Sequence, residues 1–287
     1  MSSITVSDVI STILRGLRDV YFLISLYEST SSNKKKIICY PRRPLNPLYT
    51  LAKVRWGLPV RFTSSPELAD IELYFYDKTN SNYQVSGNPK KIVINKNCTD
   101  ISKSNVDKVF LEIFGYSLSL DPKNFHGSIL EKSEQNAKHD GKIINSSSLG
   151  FKIYKNKVYQ KLINNIYNEF AIDYRVVWVK DEIVLAYVKF AQKEYRFKSK
   201  TVYSKIVSIC SLFENEEISL INEFCKKFKL DFGELDILRD RDTKKIYIVD
   251  VNKTAWGPPD KISLEDGKKA IAPVSYTHLR AHETYDH

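Results

Sequence analysis

Residues 230–259, LDFGELDILRDRDTKKIYIVDVNKTAWGPP, hold the densest group of side chains able to do chemistry. Leu235 and Ile237 alternate with Glu234 and Asp236. After a polar turn at 239–245, residues 246–251 alternate again into Asp250 and Asn252, the pattern of a β-hairpin. Successive strand residues face opposite ways, so Glu234 and Asp236 share one face, as do Asp250 and Asn252. Pairing about residue 243 sets Asp236 opposite Asp250 and Glu234 opposite Asn252. Like charges opposed in a sheet repel, so these carboxylates are either solvated on an edge hairpin or held by a cation. Oxygen ligands with one amide suit Mg²⁺ or Mn²⁺ rather than zinc.

A chain of 287 residues has room to bury a large core around such a hairpin. Cys39, Cys98, Cys210 and Cys225 are scattered without C-x-x-C spacing, which points to reduced thiols and a cytoplasmic setting. The N-terminus is punctuated by Asp8, Arg15, Arg18 and Asp19, so it reads as neither a signal peptide nor a spanning helix. Val6, Val9, Ile10, Ile13, Leu14 and Leu17 recur at helical spacing, as in a helix packed on a core; a membrane-surface helix is the alternative. The net charge of +10 would suit an anionic ligand. Its lysines are spread along the chain with no evident cluster of basic residues interleaved with aromatics, so nucleic acid is not an expected partner. Residues 274–284, VSYTHLRAHET, resemble a translated sequencing-library adapter. Residues 273–287 are therefore read as a non-native tail, with the authentic protein continuing beyond Ala272. Three of the five histidines, His278, His282 and His287, fall in that tail.

The rest divides into three blocks around the hairpin. Residues 1–102 read as a small α/β domain: strands at 34–40, 59–62, 70–76 and 91–95, a helix at 48–56 and a loop at 81–89. Arg42 and Arg43 follow a strand end, where they are solvated or meet an anion. No G-x-G-x-x-G occurs, which gives no support to a Rossmann nucleotide site. Residues 103–160 hold a helix at 106–114 capped by Ser104, a strand at 127–133, a turn at 136–141 and a returning strand from 142. Lys132 shares its strand face with Leu130, which suits either a half-enclosed phosphate anchor or a surface lysine. His139 reads as a solvated loop residue. In residues 161–272, strands 173–179 and 182–190 pair across Lys180-Asp181, residues 196–209 continue extended, and 216–229 form an amphipathic helix ahead of the hairpin.

The ordered set DFGELDILRDRD…IYIVDVNKT…GPP, preceded by ILEKS, VYQKLI and DYRVVWV, resembles the ATP-grasp superfamily over about residues 105–259. The resemblance implies an α/β (α+β) ATP-grasp fold: two subdomains, 103–160 and 161–272, clamping the nucleotide behind a preceding α/β domain at 1–102. It implies that Lys132 contacts the α/β-phosphates, with Lys108 as a second nucleotide lysine, and that Gln160, Lys161, Leu162 and Ile163 line the adenine. Arg175 and Lys189 would face the γ-phosphate or an acyl-phosphate. Asp236, Asp250 and Asn252 would hold Mg²⁺ or Mn²⁺, with Asp250 standing where the family usually has Glu.

The chemistry so implied is an ATP-dependent ligase joining a carboxylate to an amine. Forming an amide needs a better leaving group than a carboxylate oxygen, which an acyl-phosphate supplies. Phosphoryl transfer rests on alignment and charge neutralisation by cations, not on a protein nucleophile. The expected partners are small-molecule carboxylate and amine substrates, with no membrane. The alternatives are an ATP-grasp kinase acting on a hydroxyl, and a non-enzymatic nucleotide-binding or RNA-binding protein.

Overall fold

A computed structural model describes residues 17, 35–44, 49–51, 60–82, 90–148, 151–198, 200–259, 261–267 and 269–270. The N-terminal amphipathic helix (Leu17 apart), most of the helix expected at 48–56, residues 83–89 of the expected loop and the tail at 273–287 lie outside them.

Three sheets carry the fold. The first contains β1 (Lys35–Tyr40), β2 (Val60–Phe62), β3 (Ile71–Tyr74) and β4 (Ile92–Ile94), all parallel, in the order β2-β1-β3-β4. Parallel strands are covered on both faces and read as apolar runs, and all four residues of β3 are buried. Helix α1 (Lys103–Phe114) follows. Its cap is Ser102, which accepts from the Asn105 amide at 3.3 Å. The expected cap, Ser104, instead binds Glu134 through its amide and hydroxyl at 2.9 and 2.8 Å.

The second sheet is antiparallel, β6-β5-β7, from β5 (Ser128–Ser133), β6 (Lys142–Asn145) and β7 (Lys157–Lys161). The third runs β11-β10-β9-β12-β13, with β8 (Ile166–Tyr167) added on β9. Its members are β9 (Phe170–Val179), β10 (Glu182–Gln192), β11 (Thr201–Val207), β12 (Phe232–Arg239) and β13 (Ile246–Asn252). The expected continuous extension of 196–209 is shorter: a 3₁₀ turn at Lys193–Tyr195 precedes β11, and a helical turn at Ile209–Leu212 follows it. Helix α2 (Asn215–Phe228) then covers the sheet, opened by a capping box of Glu214 and Glu217.

The two faces of the third sheet are used differently. Val176, Trp178, Ala186, Leu235 and Ile237 pack in one cluster with Val106, Val109 and Phe110 of α1 and Ile221, Phe224 and Cys225 of α2. Helix α1 therefore packs on this sheet, although the sequence groups it with β5–β7. The opposite face is divided along its length: Val177, Val179, Leu185, Tyr187 and Phe232 pack with Ile37, Ile71 and Leu73 of the first sheet. Further along that same face stand Asp173, Arg175, Lys189 and Asp236, placed by strict alternation. The apolar half anchors the sheet and leaves its polar half facing a cleft.

Candidate functional site

The cleft lies between the second and third sheets. Leu130 and Lys132 on β5 and Gln160 on β7 share one face of the second sheet, with Leu130 paired to Gln160 and Lys132 to Val158. Across from them, the third sheet contributes Asp173, Arg175, Lys189, Asp236, Leu238, Val249 and Asp250. Leu118 and Ile163 add to the apolar part of the wall. Among the lining residues, eight lysines and arginines face four aspartates, a balance that favours a polyanion.

The hairpin pairs as its alternation predicts, Asp236 opposite Asp250 and Glu234 opposite Asn252. Below Asp236 the register shifts, with Ile237 paired to Ile248. Val249 is the extra residue of this bulge, which re-aims side chains so that Val249 and Asp250 both line the cleft.

Asp236 is held by cations. Arg175 donates from Nε to Oδ1 and from Nη2 to Oδ2, each at 2.9 Å, and Lys189 Nζ donates to Oδ1 at 2.9 Å. Arg175 Nη1 also lies 3.3 Å from Glu234 Oε2. Burial alone would raise the Asp236 carboxyl, but Arg175 and Lys189 hold it well below the usual carboxylate range. Burial disfavours the charged Arg175 guanidinium, and Asp236 and Glu234 outweigh that to raise it. Asp250 has no such partner. Its Oδ1 is buried without a hydrogen bond, and burial, resisted by Lys103, pushes its carboxyl up to about 6. Burial pushes the Lys132 ammonium down to about 8, against the pull of Asp250. Asp173, raised by burial, accepts from Asn165 at 2.9 Å.

Of the residues singled out by the sequence, Lys132, Gln160, Lys161, Ile163, Arg175, Lys189, Asp236 and Asp250 line one cleft. Three others do not. Lys108 is exposed on α1, because the helix phase turns Val106, Val109 and Phe110 inward and Lys108 outward. Lys103, buried at the start of α1 with Nζ donating to the Gln135 carbonyl at 2.8 Å, lines the cleft instead. Leu162, half-buried, stands outside the lining between Lys161 and Ile163. Asn252 also lies outside the cleft lining, and its Oδ1 accepts from the Thr254 amide at 3.0 Å and hydroxyl at 3.1 Å.

The expected metal set therefore does not fit as arranged. Both Asp236 oxygens are taken by cations, the Asn252 oxygen is taken by Thr254, and Asp250 alone of the three keeps an open oxygen. Among the described residues no group of three His, Cys, Asp or Glu side chains is placed to hold a metal ion. The nucleotide residues fit better: Lys103, Lys132, Arg175 and Lys189 line the same cleft as a buried Gln160 amide with an unpartnered Oε1 and the apolar side chains of Leu118, Leu130 and Ile163.

Sequence reasoning missed Lys103, Asp173 and Arg196. Arg196 lines the cleft and donates to the Ile163 carbonyl at 2.6 Å, a link that closes only in three dimensions. It also belongs to a short basic–aromatic run, 195–200, that the sequence reading passed over. Its rings are occupied from within: Arg196 lies over Phe197, and Lys198 and Lys200 over Tyr195. His139 lines the cleft from the loop after β5. Asp140 fastens that loop, accepting from the Ser133 amide at 3.0 Å and from Lys157 at 2.7 Å. All four cysteines are free, with Cys210 exposed. No helix among the described residues is long and apolar enough to cross a membrane.

No protein-family model matches the chain, and no curated protein matches it. Solved structures do. An RiPP-associated ATP-grasp ligase from Chryseobacterium gregarium, in complex with ADP and a leader and core peptide, is 11% identical, with 85% of this chain and 97% of that one covered at a TM-score of 0.51. VanG D-Ala:D-Ser ligase from Enterococcus faecalis is 10% identical, with 85% and 100% covered at a TM-score of 0.51. Structures of the ATP-grasp ligase PsnB match at TM-scores of 0.40 to 0.43. The chain spans 54% to 63% of the length of those PsnB structures. The Chryseobacterium and Enterococcus structures, each matched over 85% of this chain at a TM-score of 0.51, show the fold: the chain has the ATP-grasp fold.

Proposed function

We propose that the cleft binds ATP and that the protein is an ATP-dependent ligase, joining a carboxylate to an amine and releasing ADP and phosphate. The observation that carries this reading is the meeting in one cleft of Lys132, Lys103, Arg175 and Lys189 with Gln160 and Ile163, drawn from two facing sheets. Lys132 and Lys103 would neutralise the inner phosphates, and Arg175 and Lys189 the terminal one, where negative charge must be balanced during transfer. Leu118, Leu130, Ile163, Leu238 and Val249 form the apolar wall against which the base would lie.

In the first step a carboxylate oxygen attacks the terminal phosphorus and the bond to the bridging oxygen breaks, giving an acyl-phosphate and ADP. In the second an amine attacks the acyl carbon, and phosphate leaves as the amide forms. The chain's own residues bind, align and neutralise charge; none acts as a nucleophile. Asp250, whose Oδ1 has no hydrogen-bond partner, is the carboxylate that would meet a divalent ion accompanying the nucleotide. No step is assigned to a metal.

The test is ADP release across a panel of carboxylates and amines added singly and together. Peptide carboxylates belong in the panel, since the Chryseobacterium ligase holds a leader and core peptide. Release that needs both a carboxylate and an amine supports the ligase; release with a hydroxyl acceptor alone sinks it in favour of a kinase.

A further inference from the structure

The Asp236 carboxylate occupies a ready-made anion site. Arg175 meets it edge-on through two hydrogen bonds at 2.9 Å and Lys189 adds a third at 2.9 Å. A guanidinium fork with an ammonium beside it is the donor set that recognises a terminal phosphate or a carboxylate. Both cations line the cleft. Arg175 does not depend on Asp236 alone for its position, because Nη1 also lies 3.3 Å from Glu234. The hydrogen bonds of the Asp236 side chain, by contrast, all go to these two cations.

We propose that Asp236 is an intrachain stand-in for a ligand phosphate: it fills the anion site formed by Arg175 and Lys189, and an entering phosphate takes both cations from it. The inference rests on the cleft receiving nucleotide phosphates. It gives Asp236 a role other than the metal ligand the family pattern implies. Two half-buried cations side by side repel each other, and the carboxylate between them keeps both in place before a ligand arrives. Competition then runs both ways, so the carboxylate weakens phosphate binding by the factor with which phosphate displaces it. Asp236 moves against the like charge of Asp250, its partner across the strands, which adds to the cost of release.

Inorganic tripolyphosphate, titrated calorimetrically into the full chain at low salt with EDTA present, tests this without base or metal. Asp236→Asn keeps the side-chain shape and removes its charge. It should bind tripolyphosphate about tenfold more tightly than wild type, because its competitor is weakened. Asp173→Asn removes a second buried carboxylate of the same cleft and should change affinity by less than about threefold, as a general field effect. In a background with both Arg175→Gln and Lys189→Gln, Asp236→Asn should lose its gain. An unchanged or weaker Asp236→Asn, or an equal gain in both aspartate variants, overturns the stand-in. If Asp236→Asn does not fold, Asp236→Ser replaces it in the same comparison. ATP titrated in parallel separates the two levels. Binding of ATP and tripolyphosphate equally by every variant removes only the stand-in, whereas binding of neither by the wild type removes the nucleotide cleft as well.

Discussion

Lys132 is the residue at which burial and the proposed nucleotide pull one titration in opposite directions. Burial lowers its ammonium from the ordinary 10.5 to about 8. Between those values the unfolded chain binds more protons than the folded one, so the ligand-free protein gains stability as pH rises from about 8 to 10.5. An anion beside Lys132 restores its charge, so ATP binding takes up a proton in that window. ATP affinity should be flat between about pH 7 and 8, above the Asp250 titration, and fall by up to about tenfold per pH unit above 8. Calorimetry across that range checks it, and Lys132→Met should bind more weakly at neutral pH and lose the step; a step that survives the substitution belongs to another group. Asp250 is the complementary case, a buried carboxylate with an open oxygen. Asp250→Asn should abolish the effect of Mg²⁺ on ATP affinity while metal-free binding persists. Unchanged metal dependence would remove Asp250 as the open ligand.

At the scale of elements, the two strands of the hairpin approach each other closely at Gly233. A β-carbon built there would stand 2.6 Å from the Asn252 carbonyl oxygen and 3.0 Å from a Leu230 methyl. The oxygen belongs to the backbone of β13, so Gly233→Ala must push the two strands apart. Overpacking of this kind costs about 1–3 kcal/mol, and urea unfolding should show it as a lower midpoint at unchanged slope. The strands, and the pairing of Asp236 with Asp250, were legible because alternation is a local property of the sequence. The bulge at Val249 was not, since no glycine or proline marks it and its register depends on packing against the helices. Ser104 and Ser102 are equally good caps in sequence, and the choice falls to Glu134, which comes from the loop just after β5 and engages Ser104. The same limit hid Lys103. A lysine at a helix start reads as solvated until β5 and β13 enclose it, and the grip of Arg175 on Asp236 links residues 61 apart.

At the scale of the molecule, the cleft keeps its shape only if the first sheet stays docked on the third, and Asn95 is the fastening. It is fully buried just past β4, in the left-handed region at φ 59°. Its Oδ1 accepts from the Asp231 and Phe232 amides at 2.9 and 3.0 Å, and its Nδ2 donates to the Phe232 carbonyl at 2.7 Å. These are backbone groups at the start of β12, the strand that carries Asp236 four residues further on. Removing this buried side chain takes these three hydrogen bonds away, at about 0.5–1.5 kcal/mol each. Asparagine also tolerates the left-handed backbone better than alanine, by about 1 kcal/mol. Asn95→Ala should therefore lose about 3–6 kcal/mol and Asn95→Gly about 1 kcal/mol less, since glycine escapes the backbone strain but not the lost bonds. Denaturant titration of the two variants separates the terms. Because β12 bears the anion site, both variants should also bind ATP more weakly than wild type while still folded. Wild-type affinity in a clearly destabilised Asn95 variant would show that the cleft holds its geometry without this junction.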